Sequence, residues 1–299
     1  MAGYSETVGE ARGTIDDQIY QSWVRCLTQT VGRSESFARQ RASQELARDH
    51  ARKLVGEFRS AGWPLSSGRF LDVGSGHGSL AVELALAGAQ VTALEPCEAW
   101  RSLSEQRAAV LRLNVQHIDG DAHELPFEDG AFDGCVSLQV LEHVRDPRRV
   151  VREIARVLKP GGVLFVTCEN YLAFREPHYD VAWLPGMPKK LGSIYLRMRG
   201  RDPSFLREHV TYTYWPQLAH AFLDADLLDM SWEPNLPSRG AVERPGARKW
   251  RFLFKCIAPL VGRLRAETMI VCMSNRRALY RGAFTVFGRK SNGATTRWQ

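Results

Sequence analysis

The feature that most constrains this chain is Leu71-Asp72-Val73-Gly74-Ser75-Gly76-His77-Gly78, in which an apolar strand runs into three glycines spaced by two and then into a helical stretch. Glycines at such a turn let the backbone fold back sharply and approach a ligand closely. The helix that follows presents unpaired N–H groups to an anionic group. Taken alone, the elbow serves NAD, FAD or another nucleotide equally well. A dinucleotide fingerprint places its third glycine at position 79, which here is Ser79.

The texture around the elbow extends the constraint. Phe70–Val73, Gln90–Leu94, Val115–Asp119, Phe132–Leu138 and Val163–Cys168 read as short apolar strands. Gly78–Leu86, Cys97–Leu113 and Pro147–Leu158 read as the helices between them, the last stopped by Lys159-Pro160-Gly161-Gly162. Such alternation implies parallel pairing through right-handed crossovers, hence an α/β, doubly wound sheet. Upstream, residues 1–66 read as a polar helical segment, with a helix over Ser43–Gly62 broken at Trp63-Pro64. Residues 171–213 interrupt the alternation with aromatics, Pro and Arg. It resumes with helices over Trp215–Ala225 and Arg248–Arg265 and strands over Leu227–Trp232 and Thr268–Met273. The expected segments are thus 1–66, a core at 67–170, an insertion at 171–213, the rest of the sheet at 214–288 and a frayed tail at 289–299.

Two carboxylates downstream of the elbow narrow the ligand. Glu95 ends the second strand, where an acid can accept both hydroxyls of a ribose. Asp121, in Gly120-Asp121-Ala122-His123-Glu124-Leu125-Pro126-Phe127, can accept from an adenine amino group while the next backbone N–H reaches a ring nitrogen. With these residues, the stretches LDVGSGHGSLA, VTALEP, GDAHELPFEDGAFDGCVSLQVLEHV and DPRRVVREIARVLKPGGVLFVTCEN resemble the class I S-adenosylmethionine-dependent methyltransferases, in particular the group that includes small-molecule enzymes of ubiquinone and menaquinone biosynthesis. The resemblance covers about 69–170, and REHVTYTYWPQLAHAFLDADLLDMSW also resembles the family's approach to its sixth strand.

The resemblance implies a Rossmann-like, seven-stranded, mostly parallel sheet with its last strand antiparallel, N-terminal helices and a helical cap inserted after strand five. It implies that Gly74, Ser75 and Gly76, helped by Asp72, contact the methionine end of S-adenosylmethionine, with Gly78 and Pro96 completing the cradle. Glu95 is then expected on the ribose, Asp121 and Ala122 at the adenine, and Leu138 and Gln139 on the sulfonium side. His143, in LEHV, falls where many relatives face substrate. A sulfonium methyl is already electrophilic, so the protein must align it and exclude water. For a hydroxyl acceptor, a base within about 3 Å helps. His143 is the first candidate, with His178 and His209 behind it; a carbon or nitrogen acceptor needs alignment alone.

Other chemistries find less support. Ser137-Leu138-Gln139-Val140 replaces the Asn/Asp-Pro-Pro-aromatic motif of amino methyltransferases, and no acidic cluster suggests a metal. The six cysteines form no CxxC pair, and four lie in apolar runs, as expected of reduced core thiols in a cytoplasmic protein. The N-terminus lacks an apolar signal core, so secretion is not expected. No apolar run approaches the about 20 residues of a spanning helix.

Charge is unevenly placed. Residues 186–299 hold 20 Lys and Arg against 8 Asp and Glu, and the rest of the chain 20 against 25. A basic C-terminal third favours an anionic partner. In the insertion, Leu191, Ile194, Tyr195 and Met198 form one helical face among Lys189, Lys190, Arg197, Arg199 and Arg201, the composition of an interfacial membrane helix. Lys249–Arg265 repeats the composition but reads more simply as a helix packed on the sheet. The expected protein is a methyltransferase acting on a small-molecule or lipid-linked acceptor at a hydroxyl or carbon, peripheral at the inner membrane face through 187–201. The alternatives are an RNA methyltransferase using the basic third, for which no RNA-binding module is visible, and a non-catalytic S-adenosylmethionine-binding protein.

Overall fold

A computed structural model describes residues 48–171, 173–227, 231–232 and 283–290, with 17–22, 24–25, 28, 35 and 38–39 before them. Its elements are α1 (Arg48–Ser60), β1 (Arg69–Val73), α2 (Ser79–Leu86), β2 (Gln90–Leu94), α3 (Glu98–Val110), β3 (Val115–Ile118), β4 (Phe132–Leu138), α4 (Pro147–Val157) and β5 (Leu158–Glu169). Beyond them come β6 (Arg175–Glu176), β7 (Val181–Ala182), α5 (Lys189–Met198), α6 (Ser204–Glu208), α7 (Trp215–Asp224), β8 (Ser231–Trp232) and β9 (Ala283–Arg289).

The main sheet has seven strands in the order β3-β2-β1-β4-β5-β9-β8. Strands β3 to β5 pair in parallel, and β9 runs antiparallel to both β5 and β8. The order reverses between β1, which leads out to β2 and β3, and β4, which leads the other way. Ligands bind such sheets at this switch point, off the carboxyl ends of the strands, and the glycine elbow leaves β1 there.

Alternating side chains supply a core on each side of the sheet. Leu71, Val73, Leu164 and Val166 face α4 and α7, meeting Val150, Ile154, Leu218 and Phe222. Phe70, Val136, Val163 and Phe165 face the other way, onto Leu54, Val55 and Phe58 of α1 and Leu80 and Leu84 of α2. The break at Trp63-Pro64 is a packing device: Trp63 stacks on Phe58 at 4.2 Å and on Phe70 at 5.9 Å, fastening α1 to the first strand. Helix α4 starts where Asp146 accepts hydrogen bonds from the amides of Arg148 (3.0 Å) and Arg149 (3.1 Å), with Pro147 preset for the first turn.

Three expectations need correction. Strand β5 begins at Leu158, not Val163: the Lys159–Gly162 stretch continues the strand through a register irregularity opposite Phe132 and Gly134. The antiparallel last strand lies at Ala283–Arg289, a segment without an assigned element in the sequence reading. Residue 289 therefore does not begin a frayed tail: Arg289 pairs with Val163, and Lys290 donates its Nζ to the Leu158 carbonyl at 2.7 Å. The strand expected over Leu227–Trp232 appears as a bridge from Leu227 to Lys290 and the strand pair at Ser231–Trp232. The expected elements at Arg248–Arg265 and Thr268–Met273 lie outside the described residues.

Between β5 and α7 the chain builds a cap with its own small core, including Tyr171, Tyr179, Trp183, Leu196, Leu206 and Val210. Gly192 lies flat against Trp183, where a Cβ would come within 2.4 Å of the indole. That contact turns Gly192, Ser193 and Leu196 of α5 inward and leaves Leu191, Ile194 and Met198 57%, 53% and 81% exposed.

Candidate active site

The elbow is pinned from two sides. The amides of Gly74 and Ser75 both donate to the Leu94 carbonyl at the end of β2, at 2.8 and 3.0 Å. From α3, Arg107 donates to Ser79 Oγ at 2.7 Å and to the His77 carbonyl at 3.3 Å. His77, buried beside that guanidinium, is pushed down to about 3, by burial first and Arg107 second. Gly74, Gly76 and Gly78 all take left-handed φ values, of 72°, 52° and 75°. They differ in what lies above them. A Cβ on Gly74 would meet Val140 at 2.4 Å and one on Gly78 would meet Ser104 at 2.0 Å, whereas one on Gly76 meets nothing within 4 Å. Gly76 is the elbow position with open space over its backbone.

Glu95 reaches into the same space. Its Oε2 accepts from the Gly76 amide at 2.8 Å and its Oε1 from the Cys97 amide at 2.9 Å, leaving each oxygen a further lone pair. Pro96, beside it, is exposed. Asp72 is buried at the end of β1, and its carboxyl is pushed up to about 7, by burial first and by the Glu95 charge second. Two carboxylates sharing a secluded place favour a cation. Among the described residues, Ser75 Oγ is buried without a hydrogen-bond partner. The site thus joins open backbone, an idle hydroxyl and two carboxyl groups, which fits a ligand bearing ribose hydroxyls and positive charge.

Asp121 is exposed and held from behind. Its Oδ1 accepts from the amide of His123 at 2.9 Å and from the ring Nδ1 at 2.5 Å, and these bonds, the amide's first, hold the carboxyl below its usual range. His123 Nε2 accepts in turn from the Asp146 amide at 3.1 Å, so one imidazole ties Asp121 to the start of α4. Ala122 is buried under the sheet end. Leu138 and Gln139 close β4, where Gln139 takes a left-handed φ of 54° and donates its amide to the Thr167 carbonyl at 3.0 Å. The turn then lays Val140 on Gly74 and carries the chain to His143.

Of the three histidines, two present side chains to one another. The rings of His143 and His178 lie 5.3 Å apart, edge to face, with Phe205 against both. His209 enters through its backbone, whose carbonyl accepts from His143 Nδ1 at 2.7 Å; its ring packs on Phe205. His143 is held below its ordinary range, by surrounding protein first and the His178 charge second. Glu176, Glu142 and Glu169 surround His178, and the Tyr171 hydroxyl lies 3.2 Å from its Nδ1; no sequence pattern singles out these four residues. Glu176 lies two residues from His178, yet only the folded ribbon of β6 and β7 shows its carboxylate buried against the ring.

Residues 71–166 match the family model described as a methyltransferase domain. A ubiquinone biosynthesis O-methyltransferase of Xanthomonas oryzae pv. oryzae is 36% identical over 115 residues, covering 38% of this chain and 48% of that protein. The corresponding protein of Caulobacter vibrioides is 31% identical over 157 residues, 50% of this chain and 59% of that one. The chain therefore spans about half the length of the curated relatives it matches. A solved structure described as a sarcosine dimethylglycine methyltransferase from Galdieria sulphuraria superposes with a TM-score of 0.52 over 83% of this chain and 88% of that one; at 20% identity the likeness is one of fold.

Proposed function

From the match of residues 71–166 to a methyltransferase domain, we propose that the chain is a class I, S-adenosylmethionine-dependent methyltransferase that transfers a methyl group to a small-molecule or lipid-linked acceptor held beneath the cap. The observation that carries this is the Glu95–Gly76 contact beside buried Asp72: one carboxylate anchored by the elbow's own amide, a second behind it, and open backbone over Gly76. S-adenosylmethionine, when bound, supplies an electrophilic methyl carried on a positive sulfur. Every other task falls to the chain. Glu95 accepts the ribose hydroxyls with its remaining lone pairs, and Asp121, fixed by His123, accepts from the adenine amino group. Asp72 and the Ser75 hydroxyl serve the cationic, amino-acid end. Leu138 and Gln139, at the end of β4, would lie on the sulfonium side. The cap excludes water, and His143 and His178 line the acceptor's side.

The exposed face of α5 supports an anionic lipid surface as the place where the acceptor is met. Leu191, Ile194 and Met198 stand clear of the protein with Lys190, Arg197 and Arg199 exposed around them, and Phe174 and Leu184 are exposed on the same cap. Apolar area ringed by cations is complementary to an anionic interface. Lys189 and Arg201 are only half-exposed; Lys189 turns inward, donating to the Val210 carbonyl beside the Tyr212 ring. No helix of the described residues is long and apolar enough to cross a membrane.

Two measurements test the function together. Calorimetry with S-adenosylmethionine and its demethylated product should show binding of both. Incubation of the full chain with methyl-labelled S-adenosylmethionine and fractionated cell extract should move label into a small or lipid-extractable molecule. Label found in RNA, or binding without transfer to any fraction, contradicts the proposal.

A further inference from the structure

We propose that Glu176 and His178 form a general-base dyad and that the acceptor atom is a hydroxyl oxygen, whose proton is taken by His178 Nε2. This rests on the methyl-transfer reading above and names the acceptor chemistry of the same site.

The hydrogen bonds fix which ring nitrogen is basic. Glu176 is fully buried at the end of β6. Its Oε1 accepts from the Tyr171 hydroxyl at 3.1 Å and lies 3.1 Å from His178 Nδ1; its Oε2 accepts from the Tyr179 amide at 2.6 Å. A carboxylate only accepts, so Nδ1 carries the hydrogen and the neutral ring's lone pair sits on Nε2. The Tyr171 oxygen, 3.2 Å from Nδ1, has its own hydrogen on Glu176 and can only accept there too; the ring's hydrogen bonds thus run through Nδ1, and 17% of the side chain stays exposed, which keeps the ring within reach of a ligand. A carboxylate that fixes the tautomer and steadies the imidazolium is the division of labour of an acid–histidine pair.

The surroundings favour His178 over His143. Around His178 stand Glu176 on its own ribbon, Glu142 after β4 and Glu169 at the end of β5. These outweigh the desolvation that opposes them and raise its affinity for a proton. His143 faces it from the β4 turn, has its Nδ1 on a neutral carbonyl, and is held low. The kind of acceptor follows. An amine already offers a lone pair, and a carbon nucleophile sheds its proton only after the methyl arrives. A hydroxyl gains most from a base poised in advance. In the step, an oxygen lone pair forms the new O–CH3 bond while the carbon–sulfur pair returns to sulfur as a neutral thioether. The hydroxyl proton moves to Nε2 and then to water.

The test has two arms on the full chain. Nitrogen NMR of labelled histidines, with His178 assigned through His178→Gln, should show the Nδ1–H tautomer and a titration midpoint above that of an ordinary imidazole; Glu176→Gln should move that midpoint down. An Nε2–H tautomer, or an unmoved midpoint, overturns the dyad. In the second arm, product labelled from methyl-labelled S-adenosylmethionine should carry an O–CH3 linkage. His178→Gln and Glu176→Gln should each lower its rate of formation by about 100-fold or more while leaving S-adenosylmethionine affinity unchanged. The wild-type rate should fall as pH drops through the His178 midpoint, with that limb at lower pH in Glu176→Gln. A C- or N-methyl product, or unchanged rates, overturns the proposal. Should Glu176→Gln fail to fold, His178→Gln, at a partly exposed position, still decides the rate, and the wild-type tautomer still decides the geometry. If calorimetry shows no S-adenosylmethionine binding, the methyl-transfer reading fails while the NMR arm still judges the dyad.

Discussion

Replacing Gly76 by alanine separates ligand approach from folding. The residue sits at φ 52°, where an L side chain costs about 1–2 kcal/mol relative to glycine, and its new methyl meets no atom within 4 Å. Folding stability should therefore fall by about 1–2 kcal/mol, without a packing cost. The methyl projects into the space assigned to the ligand, where an overpacked contact costs about 1–3 kcal/mol. Calorimetry should thus find S-adenosylmethionine binding weaker by about 10- to 100-fold in a protein that unfolds in urea only slightly early. Gly78→Ala is the contrast. It combines a left-handed φ with a Cβ 2.0 Å from Ser104 Oγ, a group bonded to His117 Nε2 at 2.8 Å. It should lose about 2–5 kcal/mol of stability. A Gly76→Ala protein that binds S-adenosylmethionine as tightly as wild type refutes the reasoning.

The same surfaces make further predictions. Asp72 has a folded pKa raised from 3.8 to about 7, so its ionisation opposes folding. The stability of wild type relative to Asp72→Asn should fall as pH rises through that window, by at most about 4 kcal/mol. Affinity for the cationic ligand should rise over the same window in wild type and stay flat and weak in the variant, as urea titrations and calorimetry at several pH values will show. A relative stability that climbs with pH contradicts the burial argument. Leu191, Ile194 and Met198 replaced together by serine should abolish flotation with vesicles of phosphatidylcholine and phosphatidylglycerol, leaving S-adenosylmethionine affinity intact. A wild-type chain that ignores such vesicles at low salt removes the lipid surface. Gly192→Ala forces a methyl onto Trp183 and should cost about 1–3 kcal/mol, read as early loss of the cap's tryptophan fluorescence; an unshifted transition contradicts the cap packing described.

The parts legible in the sequence are those encoded locally. Leu71 to Gly78 writes out a strand, its turn and the helix start, and Pro147 marks the start of another helix; neither depends on a distant partner. Glu95 and Asp121 stand out in the sequence because each follows a strand at the same end of a parallel sheet. The long-range features were hidden. Strand β9 is defined by pairing with β5, more than a hundred residues away, and apolar periodicity places it no better than Thr268–Met273. The extension of β5 over Pro160 and Gly161 depends on Lys290, whose amide and carbonyl pair with Gly162 and Gly161. The ranking of the histidines shifts for the same reason: His143 sits in a recognisable motif, but the carboxylate that makes a histidine basic belongs to His178 and becomes visible only when Tyr171 and Tyr179 fold around Glu176. On α5, periodicity identified the apolar stripe, while its outward orientation follows from Gly192 packing on Trp183.

The most direct measurement is a crystal structure of the chain with S-adenosylhomocysteine. The expected result has the Glu95 carboxylate accepting from both ribose hydroxyls, the amino-acid end lying over Gly76 toward Asp72, and the sulfur facing the side lined by His143 and His178. A ligand seated elsewhere, or Glu95 turned from the sugar while the nucleoside is bound, contradicts the account.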